Sequence, residues 1–359
     1  MSGGSDTGLL AESLERLLSE RCGPDVCQEA EATGWAAELW EALTAAGLTT
    51  VGVPESAGGS GGDLSDACTL VAAVGRHAVP LPLAETAMLG GWLVDRAGLT
   101  LPAGPLSVAV PRADDWLRLD GSTLSGRLTR VPWATRAAGV VAVVQDGGGG
   151  EHVVLVDPAR ADVTPGRNLA GEPRDAVEIG DLHLDADRMA PVPEGTAAEL
   201  ALRGALARAL AMAGAMEAVT RLTLGYAGER RQFGRPIAAF QAVGQRLVRL
   251  AEEAEAAGLA AEVAAQRYAQ VGTGASREIA AAKVTAGRAA AEVAAHAHQV
   301  HGAMGMTQEY RLHLSTRRLW AWRHEWGSSR HWASVLGGEL VAGGAAGLWE
   351  AVASGLVAR

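Results

Sequence analysis

Three cysteines in 359 residues, Cys22, Cys27 and Cys68, are too few and too irregularly spaced for a disulfide framework or a thiolate metal site. A reducing compartment follows, with Cys22 and Cys27 read as ordinary thiols rather than a reactive pair. Positive charge is in deficit: 31 Lys and Arg stand against 41 Asp and Glu, a net charge of −10. That balance disfavours nucleic acid or an anionic membrane as a partner. No apolar run is long enough to span a bilayer, and the opening stretch from Met1 to Thr7 lacks the basic region and apolar core of a signal peptide. The expectation is a soluble, cytoplasmic protein. Gly58-Gly59-Ser60-Gly61-Gly62 lacks the Lys-Ser/Thr that follows a phosphate-cradling loop, so it reads as a tight surface turn. His296, His298 and His301 lack the i, i+4 spacing of a helical metal pair, which leaves no metal site. Phenylalanine is scarce as well: the chain has two, Phe233 and Phe240.

What is present is a change of period along the chain. From 9 to 98 the pattern is helical, with Leu10, Leu14, Leu17 and Leu18 on one face, Trp35, Leu39, Trp40 and Leu43 on another, and Gly47 as a stop. Asp63 or Ser65 is placed to cap a helix over 67–77, and Pro80-Leu81-Pro82 separates it from a helix over 85–96. Between Pro102 and Pro193 the period falls to two, predicting short strands over 106–110, 117–119, 124–128, 139–144, 153–156, 176–179 and 182–184. The glycines at 147–150 then form a hairpin loop, and the segment reads as an antiparallel barrel or sandwich. Beyond Pro193 the helical period returns over 198–228, 240–271, 276–300 and 329–357. Ala205, Ala209, Ala213 and Gly214 permit close helix packing, while Trp320, Trp322, Trp326 and Trp332 supply bulk for a core or an interface. The predicted fold is α+β: an N-terminal helical domain (1–101), a middle antiparallel β domain (102–195) and a C-terminal four-helix bundle (196–359).

Two stretches interrupt this bundle. Glu229-Arg230-Arg231-Gln232-Phe233-Gly234-Arg235-Pro236-Ile237, closed by Phe240-Gln241, gathers three arginines and both phenylalanines around a Gly and a Pro that forbid a continuous helix. Such a break is either an anion site, built from Arg forks and a new helix N-terminus, or a helix corner with solvated arginines. Gln299-Val300-His301-Gly302-Ala303-Met304-Gly305 ends the third long helix, and its glycines allow close backbone approach.

Together these stretches resemble the acyl-CoA dehydrogenase family, as does Val53-Pro54-Glu55 with Gly58-Gly59 and Pro80-Leu81-Pro82-Leu83 with Glu85-Thr86, so the likeness covers almost the whole chain. The resemblance implies an oxidoreductase that uses FAD to introduce an α,β double bond into an acyl-CoA thioester, in fatty-acid or sterol side-chain metabolism. It implies that Arg230, Gln232 and Phe233, with Gln299, Gly302, Ala303 and Gly305, hold the pyrophosphate and adenosine of an FAD whose flavin ring sits in the neighbouring subunit. The family's catalytic base is a Glu that, counted from Gln299, falls on Trp326, with Glu325 one residue early. In another branch it falls at Gly204 or its neighbours, with no carboxylate between Leu200 and Met216. The flavin-contacting loop expected after the strand at 107–110 is cut to Pro111-Arg112-Ala113-Asp114-Asp115-Trp116. Some relatives work as α2β2 heterotetramers, and this chain is similar to the subunit that completes the FAD tail site of a homologous catalytic partner. A self-sufficient acyl-CoA dehydrogenase using Glu325 as base is the alternative, followed by a flavin monooxygenase or a non-catalytic interaction protein on the same fold; in place of the heterotetramer, a homo-oligomer is the other assembly expected.

Overall fold

The computed structural model describes residues 3–112, 114–342 and 344. The chain forms two compact units, one of Met1–Val74 with Val79–Arg203, the other of Gly75–Ala78 with Gly204–Arg359.

In the first unit, helices α1 (Gly3–Arg21), α2 (Pro24–Thr33) and α3 (Ala37–Ala45) follow the leucine pattern, with Leu14, Leu18, Leu39 and Leu43 in the core. Helix α4 (Leu64–Arg76) starts with a reciprocal cap: Asp66 N donates to Asp63 Oδ1 at 3.1 Å, and Asp63 N to Asp66 Oδ2 at 3.0 Å. The glycine loop turns back through a bridge between Val53 and Gly61, and Gly59 cannot carry a side chain because a Cβ would strike Val53. After the prolines the chain makes a wholly buried π-helical turn over Ala84–Gly90 and then helix α5 (Gly91–Arg96). Thr86 explains part of the sequence pattern here. Its hydroxyl donates to Pro82 O at 2.7 Å and accepts from Leu106 N at 3.0 Å, tying the turn to the first strand.

Eight strands follow: β1 (Leu106–Ala109), β2 (Trp116–Asp120), β3 (Thr123–Pro132), β4 (Gly139–Gln145), β5 (Glu151–Val156), β6 (Asp162–Thr164), β7 (Arg174–His183) and β8 (Met189–Pro191). They form two four-stranded sheets, β1-β4-β5-β8 and β2-β3-β7-β6. Alternate residues meet in one core, Val140, Ala142, Val154 and Val156 from the first sheet against Leu124, Leu128, Val177 and Ile179 from the second. The expectation of an all-antiparallel domain needs one correction, because β1 and β4 pair in parallel. The β2–β3 hairpin between them belongs to the other sheet, so the chain re-enters the first sheet in its original direction. The two strands expected at 176–179 and 182–184 are one, β7, while β6 and β8, three residues each, escaped the periodicity. Asp146 holds the expected hairpin loop by accepting from Gly148 N at 2.8 Å and Gly150 N at 2.9 Å. Arg136 and Arg167 donate to the carbonyls of Thr33 and Ala32, placing cations on the C-terminal end of α2.

The second unit is helical. Helices α6 (Thr196–Glu229), α7 (Gln241–Val271) and α8 (Ser276–His301) match the expected bundle members, and α10 (Ser329–Ala342) begins where the fourth was placed. The expected continuation to 357 lies outside the described residues beyond 344. A further helix, α9 (Leu312–Trp322), carries Trp322 into the core, and α10 does the same for Trp332. Trp320 remains exposed, stacked under Arg323 at 5.0 Å.

Candidate functional site

The cationic break between α6 and α7 is a two-residue β-hairpin. Strands β9 (Arg231–Gln232) and β10 (Arg235–Pro236) pair antiparallel, Gln232 opposite Arg235 and Arg231 opposite Pro236. The tip residues Phe233 and Gly234 both have positive φ, 51° and 81°, which is the backbone such a tight hairpin demands. Phe233 is 91% exposed, a costly state for the largest apolar side chain in the turn. Arg235 lies over the Phe240 ring at 4.2 Å and Phe233 meets that ring edge-on, so the hairpin is braced from below. Arg230, Arg231 and Gln232 are exposed, and no side chain caps the N-terminus of the 31-residue helix α7 that follows.

The second stretch lies against the first. Val300 shares an apolar cluster with Ala227, Ile237 and Leu247, and Tyr226 stacks on His301 with ring centres 4.4 Å apart. His301 is buried: Nδ1 donates to Ala297 O at 2.8 Å, since a carbonyl can only accept, which leaves Nε2 to accept from the Tyr310 hydroxyl at 3.1 Å. Burial holds the His301 and His298 imidazoles below the usual histidine range and raises the Tyr310 phenol, all of which favours this neutral arrangement. The two glycines that follow serve different ends. Gly302 caps α8 with φ 58° and ψ −137°, a conformation open only to glycine, and a Cβ there would meet open space. Gly305 is required for space, because a Cβ would lie 2.8 Å from His301 Cβ. Gln299, Gly302 and Ala303 are exposed and Gly305 is buried. Exposed guanidinium and amide groups thus stand on two stretches that pack together, chemistry that suits a phosphate anion.

The carboxylate positions look different. Glu325 lies in the turn after α9, and its Oε2 accepts from Arg208 Nε of α6 at 2.8 Å with both side chains largely buried. Trp326 has φ 55°, and its ring covers Gly204 so closely that any Cβ at 204 would run into it. Trp326 and Gly204, which lie where the resemblance led a base to be expected, are therefore packed on each other. Lys283 of α8, wholly buried, donates to Arg323 O at 3.1 Å and Gly327 O at 2.8 Å, closing the turn from beneath. Burial pushes the Lys283 pKa down to about 7, against the pull of Glu325.

Sequence reasoning missed Lys283 and Arg208. The signal was present: Lys283 sits four residues after Ile279 and three before Ala286, on the buried stripe of α8, and Arg208 interrupts the buried run Ala205, Ala209, Met212 of α6. Met216 and Met212 are buried, as a core reading requires. In the first unit, the stretch after β1 is short. Asp115 folds it back by accepting from Arg112 N at 3.0 Å and Thr129 Oγ1 at 2.9 Å, and β2 begins at once. Among the described residues no three metal-ligating side chains come together, and no helix is long and apolar enough to cross a membrane.

Comparison with known proteins supplies the context. Residues 5–99 match the model of the acyl-CoA dehydrogenase N-terminal domain and residues 196–330 that of the C-terminal domain. The chain is 30% identical over 326 residues to acyl-CoA dehydrogenase IpdE2 of Mycobacterium tuberculosis, covering 86% of this chain and 89% of that protein. It is 33% identical over 301 residues to FadE34 of the same organism, but that stretch is 40% of FadE34 and 81% of this chain. Its fold matches the ChsE4-ChsE5 complex of Mycobacterium tuberculosis with a TM-score of 0.86 at 24% identity, covering 93% of this chain and 97% of that one. It also matches a Tcur3481-Tcur3483 steroid ACAD variant with a TM-score of 0.85 at 24% identity, covering 96% and 100%. The chain belongs to the acyl-CoA dehydrogenase family, FAD-dependent oxidoreductases that act on the CH–CH bond of acyl-CoA thioesters.

Proposed function

We propose that this chain is the FAD-tail-binding subunit of a heteromeric acyl-CoA dehydrogenase, completing the cofactor site of a homologous catalytic partner that acts on a fatty-acid or sterol-derived acyl-CoA. One observation carries the reading: the clamp surface is open, while Trp326 packed on Gly204 leaves neither carboxylate position usable. Glu325 is a poor substitute, because its Oε2 is engaged by the Arg208 guanidinium. The residues present fit a dinucleotide diphosphate. Arg230 offers a planar fork of donors, and Gln232 and Gln299 add amide donors from exposed positions beside it. Phe233 presents a flat apolar face at the hairpin tip suited to an adenine or to the partner's surface.

FAD, when bound, supplies the acceptor for the β-hydride. On this reading the present chain holds the diphosphate, keeps it oriented and excludes water from it, and the partner provides the base. The names of the heteromeric ChsE4-ChsE5 complex and the steroid ACAD support both the partnership and the substrate class. The direct test is co-expression with a homologous chain that carries a carboxylate at the position of Trp326. Acyl-CoA oxidation is expected from the co-purified mixed oligomer and not from this chain alone. Turnover by the lone chain, abolished by Glu325→Gln, would overturn the reading in favour of a self-sufficient enzyme.

A further inference from the structure

The turn that carries Trp326 is held by more bonds than a surface corner needs. Lys283 Nζ bridges the carbonyls of Arg323 and Gly327, and Trp332 Nε1 donates to Trp326 O at 2.7 Å. The Arg208–Glu325 ion pair fixes the residue before, and Gly327 fixes the residue after, with φ 90° and Trp332 Nε1 2.5 Å from where a Cβ would stand. All of this maintains a tryptophan at φ 55°, a backbone region that a bulky side chain rarely enters. A strained residue persists only when its surroundings over-determine it, and here the result is an indole laid on the bare backbone of α6 at Gly204.

We propose that Trp326 is a built-in plug: its ring fills the space beside Gly204 that an acyl chain would otherwise enter, and Lys283 is the positioning residue that holds the plug in place. This deepens the subunit reading above and rests on it. The plug closes this chain's own acyl site, so that thioester binds only in the partner. Gly204 and Trp326 form a matched pair, because a side chain at 204 would expel the ring and a smaller residue at 326 would leave a void against α6.

The test measures binding of octanoyl-CoA to the purified full chain by calorimetry, for the wild type, Trp326→Gly and Trp326→Asn. Glycine and asparagine both tolerate the positive φ at 326, so each removes the ring while keeping the turn. Indole is added in a parallel melting experiment, since a ring-shaped cavity binds a ring-shaped ligand and the melting temperature rises. The wild type is expected to show no octanoyl-CoA binding and no indole shift. At least one variant should gain octanoyl-CoA affinity by at least about tenfold and gain an indole shift. Wild-type affinity equal to that of the variants would overturn the proposal. So would a variant that melts higher with indole, proving a folded chain with a cavity, yet gains no octanoyl-CoA affinity. Failure of the subunit reading itself appears elsewhere, as acyl-CoA turnover by the lone chain.

Discussion

The second unit uses one backbone device twice, at Phe233-Gly234 and at Trp326-Gly327. Each is an aromatic residue at positive φ, 51° and 55°, followed by a glycine at 81° and 90°. The first turns its ring out to 91% exposure on a hairpin braced by Phe240 and Arg235. The second turns its ring in, onto Gly204, under bonds from Lys283, Trp332 and the Arg208–Glu325 pair. On the proposed reading, strain tolerated outward serves binding, with a ligand or partner covering the ring. Strain that is locked inward serves closure.

Substitutions at paired positions should separate these two uses. The largest effect is expected for Arg208→Ala, which leaves Glu325 as a buried carboxylate without its partner and should cost about 3 to 5 kcal/mol of folding stability in urea titrations. A loss below about 1 kcal/mol would mean that the inner turn does not depend on the pair. Arg230→Ala on the outer side should do the reverse. Chain stability changes by less than about 0.5 kcal/mol, while FAD retention by the co-expressed complex weakens by about 2 to 5 kcal/mol, roughly thirtyfold or more in affinity. Flavin content unchanged after dialysis would remove Arg230 from the clamp.

The two glycines give a finer contrast. Gly327→Ala meets both the positive φ and Trp332 and should cost roughly 2 to 4 kcal/mol. Gly234→Ala, with open space around its Cβ, should cost only about 1 kcal/mol. Equal costs for the two, measured by denaturation, would show that the inner turn is not packed as described. A last contrast concerns pH. Lys283 loses its proton near pH 7 when folded and near its ordinary 10.5 when unfolded, so between those values the unfolded chain binds more protons and stability rises with pH. The slope is at most about 1.4 kcal/mol per pH unit. Lys283→Met should lack it when stability is compared at pH 7 and pH 9, and parallel slopes would contradict the buried lysine.

Much of this was legible in the sequence, for identifiable reasons. The long helices showed because their apolar stripes keep a 3.6-residue period, and the breaks at 229–241 and 302–305 showed because Gly, Pro and clustered Arg interrupt that period, although the hairpin form of the first was not expected. The closeness of those two stretches was not in the pattern; it depends on Val300, Ile237 and Leu247 meeting across helices far apart in sequence. Helix α9 was hidden by its mixture of His, Ser, Thr and Arg, and β6 and β8 by being three residues long. The parallel pairing of β1 and β4 was hidden as well, since periodicity says nothing of strand direction. The inner turn was the least readable. Lys283 and Arg208 look like surface charges until their neighbours on the stripe are read as buried, and nothing in Glu325-Trp326-Gly327 reveals that the ring lies on Gly204.

An open clamp for FAD beside a shut acyl site, as proposed, would make this chain dependent on a partner for flavin retention. The visible absorption spectrum of the purified protein tests this most directly. Expressed alone, the chain should be colourless, and co-purified with a homologous catalytic subunit it should carry stoichiometric flavin. A lone chain that retains stoichiometric flavin through purification would contradict the account.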